Sequence, residues 1–431
     1  MPTPRHNTRI TCQKHPLLCG FAAALFGSLF IYLDYWHIRL SAADTLFGLF
    51  SMALLLYGNA RIWFFAGFFF GLFWFWWIGR SFIHYQMAWA IPFAVFSIAL
   101  IYGALFWGIA KLSERAEKLL QKYTCSLLPL PSLILKSLGL LGMSYIHPLS
   151  FDWFKPELMF VQSYLGIEKW QFTLILAVLV LSLYRRTLLF VPLLLLAWQP
   201  APQNATQTSD RKIVLVTTHT PVEAKWDRSQ QPAQFRRLLQ KIDRAIEANA
   251  STVVLPETAF PVYLERTPWL YLALQTRAQK INIITGALYW ENGTPRNSTY
   301  IFHKNGTIER ANKVVLVPFG EKNPLPDFLS EWVNKVFYDG AVDYRADSNI
   351  TDYMLDNVRY RNAICFEATS KRLYKGQPKH MIVLSNNGWF VPSTEPTLQR
   401  LLLQYYSKKY GTIIYHAVNM SPSYVIAPTH H

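Results

Sequence analysis

Polar and apolar positions divide this chain in two. Across the first 200 residues the apolar side chains come in runs, near 17–33, 45–58, 62–78, 87–110, 126–146, 168–184 and 187–199. Several approach the ~20 residues a helix needs to cross hydrocarbon, so this half predicts a polytopic α-helical membrane bundle of about seven spans. The first run lacks a small-residue cleavage site and further runs follow it, which argues against a removable signal peptide. Beyond residue 200 the runs give way to alternation. Strand patterns fall at 212–218, 252–255, 281–288, 298–303, 314–317, 380–385 and 412–418, with apolar helix faces at 235–246, 270–278 and 398–406. Such alternation predicts an α/β layered domain. The polar, turn-rich stretch 200–210 reads as the linker, which puts the domains at 1–200 and 201–431.

Some features do not fit either pattern. Residues 147–167 are apolar yet broken by Pro148 and Pro156, which predicts either an interfacial loop with aromatic anchors or a re-entrant segment lining a cleft. Lys136 interrupts the fifth run, where snorkelling is the plainer reading and a substrate role the sharper one. Phe328, Leu329, Trp332, Val333, Val336 and Phe337 make one helical stripe, either core or an amphipathic lid on a bilayer. Asn-x-Ser/Thr triplets at Asn249, Asn297, Asn305 and Asn349 carry no inference.

Composition sharpens the membrane reading. The chain is 52% hydrophobic and 16% charged with a net charge of +16, a balance that suits nucleic acid or an anionic membrane surface. Aromatics and apolar runs in the first half decide for the membrane. Four cysteines (Cys12, Cys19, Cys125, Cys365) make no disulfide framework and no metal pair. Arg5, Arg9 and Lys14 place the leading tail in the cytoplasm by the positive-inside rule. Lys111, Arg115, Lys118 and Lys122, and then Arg185-Arg186, fall in loops of the same side. Seven spans would then deliver the second half to the extracytoplasmic side.

Three chemically useful residues sit beside predicted strands. Glu257 follows Val253-Val254-Leu255-Pro256, Lys313 precedes Val314-Val315-Leu316-Val317, and Cys365 ends the stretch from Arg361. Taken singly these are a cap, a surface charge and a core cysteine. Together they suit acyl transfer: a thiolate attacks a carbonyl, a carboxylate moves the proton, and a fixed cation holds the oxyanion.

Leu255-Pro256-Glu257, Lys313 with Leu316-Val317-Pro318-Phe319-Gly320-Glu321, and Ile364-Cys365-Phe366-Glu367 resemble the Glu-Lys-Cys motifs of the nitrilase (carbon–nitrogen hydrolase) superfamily. With the helix bundle, the resemblance is to its membrane branch, the apolipoprotein N-acyltransferases. Ser385-Asn386-Asn387-Gly388-Trp389-Phe390, Lys225-Trp226-Asp227, and Asn419 with Ser423 are similar to further segments of that family. The resemblance implies a nitrilase-like αββα sandwich and a ping-pong reaction without cofactor or metal. Cys365 would take the sn-1 acyl chain of a phospholipid such as phosphatidylethanolamine as a thioester. The α-amine of the diacylglyceryl-cysteine of an apolipoprotein would then receive it. By the same resemblance Glu257 is the general base and acid, Lys313 and the Phe366 N–H hold the oxyanion, and Glu321 assists. Trp226, Phe366, Glu367, Trp389 and Phe390 line or gate the lipid cleft. The implied setting is a bacterial inner membrane with a periplasmic catalytic domain and a monomer, without nucleic acid.

This chain departs from the family pattern at Phe366 (usually tyrosine), Asn387 (usually aspartate), and His416 and Ser421 (arginine and glycine). No membrane helix is expected after the domain, where the family commonly has one. A membrane-tethered amidase with water as acceptor uses the same trio. A catalytically dead lipid-binding scaffold is the remaining class, and intact Glu257, Lys313 and Cys365 speak against it.

Overall fold

In hydrocarbon an apolar run satisfies its backbone best as an α-helix, which pairs its own N–H and C=O groups. The computed structural model describes residues 13–120, 129–200, 213–318, 320–321 and 344–428. It winds six of the seven runs into helices: α1 (Pro16–Tyr35), α2 (Ser41–Tyr57), α3 (Ala60–Phe75), α4 (Ile91–Leu120), α5 (Leu130–Met143) and α6 (Lys169–Arg185). Among the described residues, three stretches are long and apolar enough to cross a membrane: Pro16–Tyr35, Ala60–His84 and Ala88–Leu120. Helices α2 and α5 are apolar but shorter, so the described residues do not show seven full helical spans.

The seventh run differs most from expectation. It forms 3₁₀ turns over Val191–Ala197, which rise about 2.0 Å per residue against 1.5 Å for an α-helix. The stretched geometry brings its end back beside the start of α6. There Gly166 N–H donates to the Ala197 carbonyl at 2.8 Å and Gln199 N–H to that of Tyr164 at 2.9 Å.

Close packing of α3 on α4 depends on small residues. A Cβ at Gly67 would lie 2.4 Å from the Tyr102 carbonyl oxygen, and one at Gly71 2.8 Å from Ala99 Cα. Lys136 neither snorkels nor faces a cleft. Its buried ammonium donates to the carbonyls of Leu56 and Gly58, at 3.3 and 2.6 Å, and caps α2. Cys19 is disulfide-bonded, where no pairing was expected.

The Pro-broken segment 147–167 is no surface loop, for residues 153–163 are buried throughout. It forms a wedge between the bundle and the second half of the chain. On one side Phe154 packs against Phe70, Trp74, Tyr102 and Phe106. On the other, Trp153 Nε1 donates to Thr369 Oγ1 at 2.7 Å and the Tyr405 hydroxyl to Glu157 at 3.0 Å. Asp34, at the end of α1, pairs with Arg400.

Two sheets build the second half. The first contains β1 (Ile213–Leu215), β2 (Thr252–Val254), β3 (Phe260–Tyr263), β4 (Asn282–Glu291), β5 (Thr294–Phe302) and β6 (Ile308–Asn312), ordered β1-β2-β4-β5-β6 with β3 on β4. The second contains β7 (Asp352–Leu355), β8 (Val358–Ile364), β9 (His380–Asn386), β10 (Ile413–Asn419) and β11 (Tyr424–Ile426), in the order β11-β10-β9-β8-β7. Val254, Ile284 and Ile301 of one sheet share a core with Tyr360, Leu384 and Tyr415 of the other. Helices α7 (Gln231–Glu247) and α8 (Pro268–Ala278) cover the first sheet. Helix α9 (Glu395–Tyr410) covers the second and at the same time joins the core of the bundle. The layers are α, β, β, α.

One predicted strand is absent. Residues 314–317 form no ladder, because the N–H groups of Val314 and Val315 go to the Glu367 carboxylate at 2.7 and 3.1 Å. Lys313 therefore follows strand β6 rather than opening a strand. The stripe from Phe328 to Phe337 and the linker at 201–210 lie outside the described residues.

Candidate active site

Glu257 is positioned by the turn that follows β2. Leu255 continues the parallel pairing through its N–H to the Ile284 carbonyl at 2.8 Å. The turn then folds down on β4 where Gly286 leaves room, since a Cβ there would lie 2.3 Å from Thr258 N and 2.8 Å from Glu257 Cα. Thr258 adopts φ +43°, a conformation a β-branched residue rarely takes. Lys225, on the short helix Val222–Trp226, secures this turn from beneath. Its ammonium donates to the Glu257 carbonyl at 2.9 Å and to Thr258 Oγ1 at 3.1 Å. Burial pulls the Lys225 pKa down to about 8, against the charges of Glu257 and Cys365.

Lys313 enters from the end of β6 and is 1% exposed. It lies 2.8 Å from Glu321 Oε2 and 3.6 Å from Glu257 Oε1. Burial lowers its pKa, but Glu321 and then Glu257 outweigh burial and hold it above the ordinary lysine value. Asn297 of β5 completes the array, donating to Glu257 Oε1 at 2.7 Å and Glu321 Oε1 at 3.0 Å. Glu321 also accepts the Val317 N–H at 2.9 Å. One amide and one ammonium thus fix both carboxylates.

Cys365 stands where β8 breaks into a 3₁₀ turn, Cys365–Thr369, and has φ +53°. A non-glycine residue there stores backbone strain, which recurs at reactive positions. Glu367 holds this turn. Its carboxylate accepts the N–H of Ile364 at 2.7 Å and those of Val314 and Val315, tying the thiol to the segment after Lys313. Burial raises the Glu367 pKa to about 7, while Lys313 and the three N–H groups pull it down. Burial, then the charge of Glu257, push the Cys365 thiol above its usual value, with Lys313 opposing. The resting sulfur is therefore a thiol, and attack needs a base at hand.

All three residues face one cavity of about 390 Å³, which Glu321, Trp226, Trp389 and Phe390 also line. Its other wall comes from the bundle and the segments beside it, including Phe75, Trp77, Ile78, Tyr85, Ile98 and Tyr102. Phe366 and Glu367 lie outside this lining. The Phe366 ring stacks on Phe151 and Trp153, at 5.3 and 6.1 Å between centroids, and Glu367 is spent on the turn. Among the described residues no three His, Cys, Asp or Glu side chains gather as a metal site would require.

Two departures from the family pattern meet each other: Asn387 Nδ2 donates to Ser421 Oγ at 3.0 Å. His416 is fully buried against Ser385 Oγ at 2.6 Å, and burial drops its pKa to about 3, so it is neutral. The sequence alone assigns no role to Asn297 or Lys225. Only the pairing of β5 with β6, which sets Lys313 N–H on the Asn297 carbonyl at 3.0 Å, would have singled out Asn297.

The model for the apolipoprotein N-acyltransferase integral membrane domain matches residues 14–200, and that for carbon-nitrogen hydrolase matches residues 219–429. An apolipoprotein N-acyltransferase of Wolinella succinogenes is 42% identical over 95% of each chain. That of Helicobacter pylori is 36% identical over 84% of this chain and 82% of its own. That of Campylobacter jejuni is 33% identical over 95% and 89% respectively. A membrane domain joined to a carbon–nitrogen hydrolase domain, with this likeness along both, makes the chain a member of the apolipoprotein N-acyltransferase family.

Proposed function

We propose that the chain moves an acyl chain from a phospholipid, through a thioester on Cys365, to the α-amine of the diacylglyceryl-cysteine of an apolipoprotein. In the first half-reaction Glu257 takes the thiol proton as sulfur attacks the sn-1 ester carbonyl. The oxyanion develops beside Lys313 and collapses with loss of the lysophospholipid alkoxide, to which Glu257 returns the proton. In the second, Glu257 takes a proton from the attacking amine, and collapse to the amide releases sulfur to be reprotonated. Glu321 holds Lys313 in place, and Trp226, Trp389 and Phe390 contact the acyl chain. The observation that carries this reading is the cavity itself: thiol, carboxylate and ammonium on one side, apolar residues of the bundle on the other. A soluble amide gains nothing from such a wall, whereas an acyl chain buries about 0.8 kcal/mol per methylene in it.

The sidedness follows by the same reasoning. The starts of α1 and α3 and the ends of α4 and α6 carry Lys14, Arg61, Lys111, Arg115, Lys118, Arg185 and Arg186, which supports a cytoplasmic location for them. The domain from about residue 201 would then face the periplasm.

The test is to incubate the detergent-purified protein with phosphatidylethanolamine labelled at sn-1. Label should stay on the protein, leave with neutral hydroxylamine, and vanish in Cys365→Ser. Undiminished label on that variant sinks the thioester. Added diacylglyceryl peptide should discharge the label into an amide, and discharge by water alone would make the protein a tethered amidase.

A further inference from the structure

Behind the nucleophile, helix α9 presents two polar side chains that none of the roles above uses. Gln399 is 1% exposed and Glu395 2% exposed. Gln399 Nε2 approaches Cys365 Sγ at 4.0 Å, the reach of a hydrogen bond to sulfur. Two further atoms, both buried, lack a hydrogen-bond partner among the described residues: Gln399 Oε1 and Glu395 Oε2. They sit four residues apart on one helix, the spacing at which side chains face each other. As a carboxylate and an amide carbonyl they would be two orphaned acceptors, which buried structure avoids. A single proton shared between them would satisfy both.

We infer that Gln399 is a catalytic residue whose amide N–H donates to the Cys365 sulfur, and that Glu395, retaining its proton, positions that amide by donating to its carbonyl. This rests on Cys365 being the acyl-carrying nucleophile. As its proton passes to Glu257, the sulfur gains negative charge, and a donor already aimed at it lowers the energy of that charge without reorganising. The surroundings favour the acid form. Arg400, the next cation along α9, is engaged by Asp34. Among the described residues, Cys365 and Tyr424 feel the Glu395 charge, and neither is cationic. Burial raises the Glu395 pKa to about 8. The opposite arrangement exchanges the amide N and O, which have the same shape. Gln399 would then donate to an ionised Glu395 and turn its carbonyl to the thiol. That would disfavour the thiolate, so the two arrangements predict opposite signs.

The test reads the thiol directly. Full-length protein in detergent is treated with iodoacetamide, and alkylation of Cys365 is followed by peptide mass spectrometry between pH 6 and 7, where Glu395 keeps its proton. Gln399→Leu should slow alkylation about tenfold at each pH, equivalent to one pKa unit. It should also slow acylation from phosphatidylethanolamine without raising KM. Glu395→Leu should behave alike, whereas Glu395→Gln, which keeps a donor to the Gln399 carbonyl, should stay within twofold of the parent. Faster or unchanged alkylation in Gln399→Leu overturns the donor role. A Glu395→Gln defect as large as that of Glu395→Leu overturns the proton. Gln399→Asn, which keeps an amide but draws it back from sulfur, supplies the same sign should the leucine variants misfold. Acyl transfer surviving in Cys365→Ser would instead refute the underlying mechanism while leaving the alkylation result readable.

Discussion

The two sides of the cavity are built by different means. On the polar side, Glu257, Asn297, Lys313 and Glu321 are linked by contacts of 2.7 to 3.6 Å, each with a defined donor and acceptor. On the apolar side the contacts are rings: Trp77 meets Phe390 at 4.9 Å, and Tyr85 stacks on Trp389 at 5.8 Å between centroids. Hydrogen bonds specify position to a few tenths of an ångström, whereas apolar packing tolerates repacking at roughly constant volume. The polar side should therefore govern the rate of chemistry and the apolar side the choice and affinity of donor.

The sharpest break of that division comes at Lys313. Lys313→Met should lower the acylation rate constant about 10²–10³-fold, the scale of losing an oxyanion donor, with donor KM unchanged in single-turnover labelling. Glu257→Ala should cost at least ~100-fold in the same burst, as expected for a general base, and equal bursts would show its role misassigned. Among the described residues Lys225 hydrogen-bonds only the Glu257 carbonyl and Thr258 Oγ1, so Lys225→Met should cost about tenfold in kcat through misplacement of Glu257, and Lys225→Arg less. Tyr85→Ala should do the reverse. Loss of one aromatic stack of about 1 kcal/mol raises donor KM roughly fivefold and leaves kcat within twofold. A kcat loss there as large as at Lys225 would erase the division.

The smallest effect concerns pH. Glu395 has its folded pKa raised to about 8 from 4.5, so the folded state holds a proton that the unfolded chain releases. Its contribution to stability is complete below about pH 4.5 and is lost as pH rises through about 8. Melting of the detergent-solubilised protein should fall by a few degrees more between pH 5 and pH 8 in the parent than in Glu395→Gln.

The legible parts of this molecule were local. The β-branched run Thr252-Val253-Val254 marks the strand that delivers Glu257, and apolar length marks six of the helices. What stayed hidden depends on distant partners. Val314 to Val317 has strand composition, yet a carboxylate 53 residues away captures its backbone. For the same reason Glu367, expected at the lipid cleft, holds the turn at Cys365 instead. Asn297 sat in a short pattern without meaning until β5 and β6 paired. The seventh run was legible as apolar but not as a 3₁₀ thread, because composition does not distinguish rise per residue. Residues 147–167 left two readings open, since burial against a second domain has no local signature.

That buried segment has a consequence for how the protein comes apart. Trp153 and Glu157 reach the catalytic domain while Phe154 sits among bundle aromatics, and α9 shares its apolar face with both. A chain cut near residue 201 would leave Phe366, Tyr405 and Tyr406 without the surfaces that cover them. The catalytic half expressed alone should precipitate or bind detergent, and the intact protein should melt in one transition, its two halves forming a single cooperative unit.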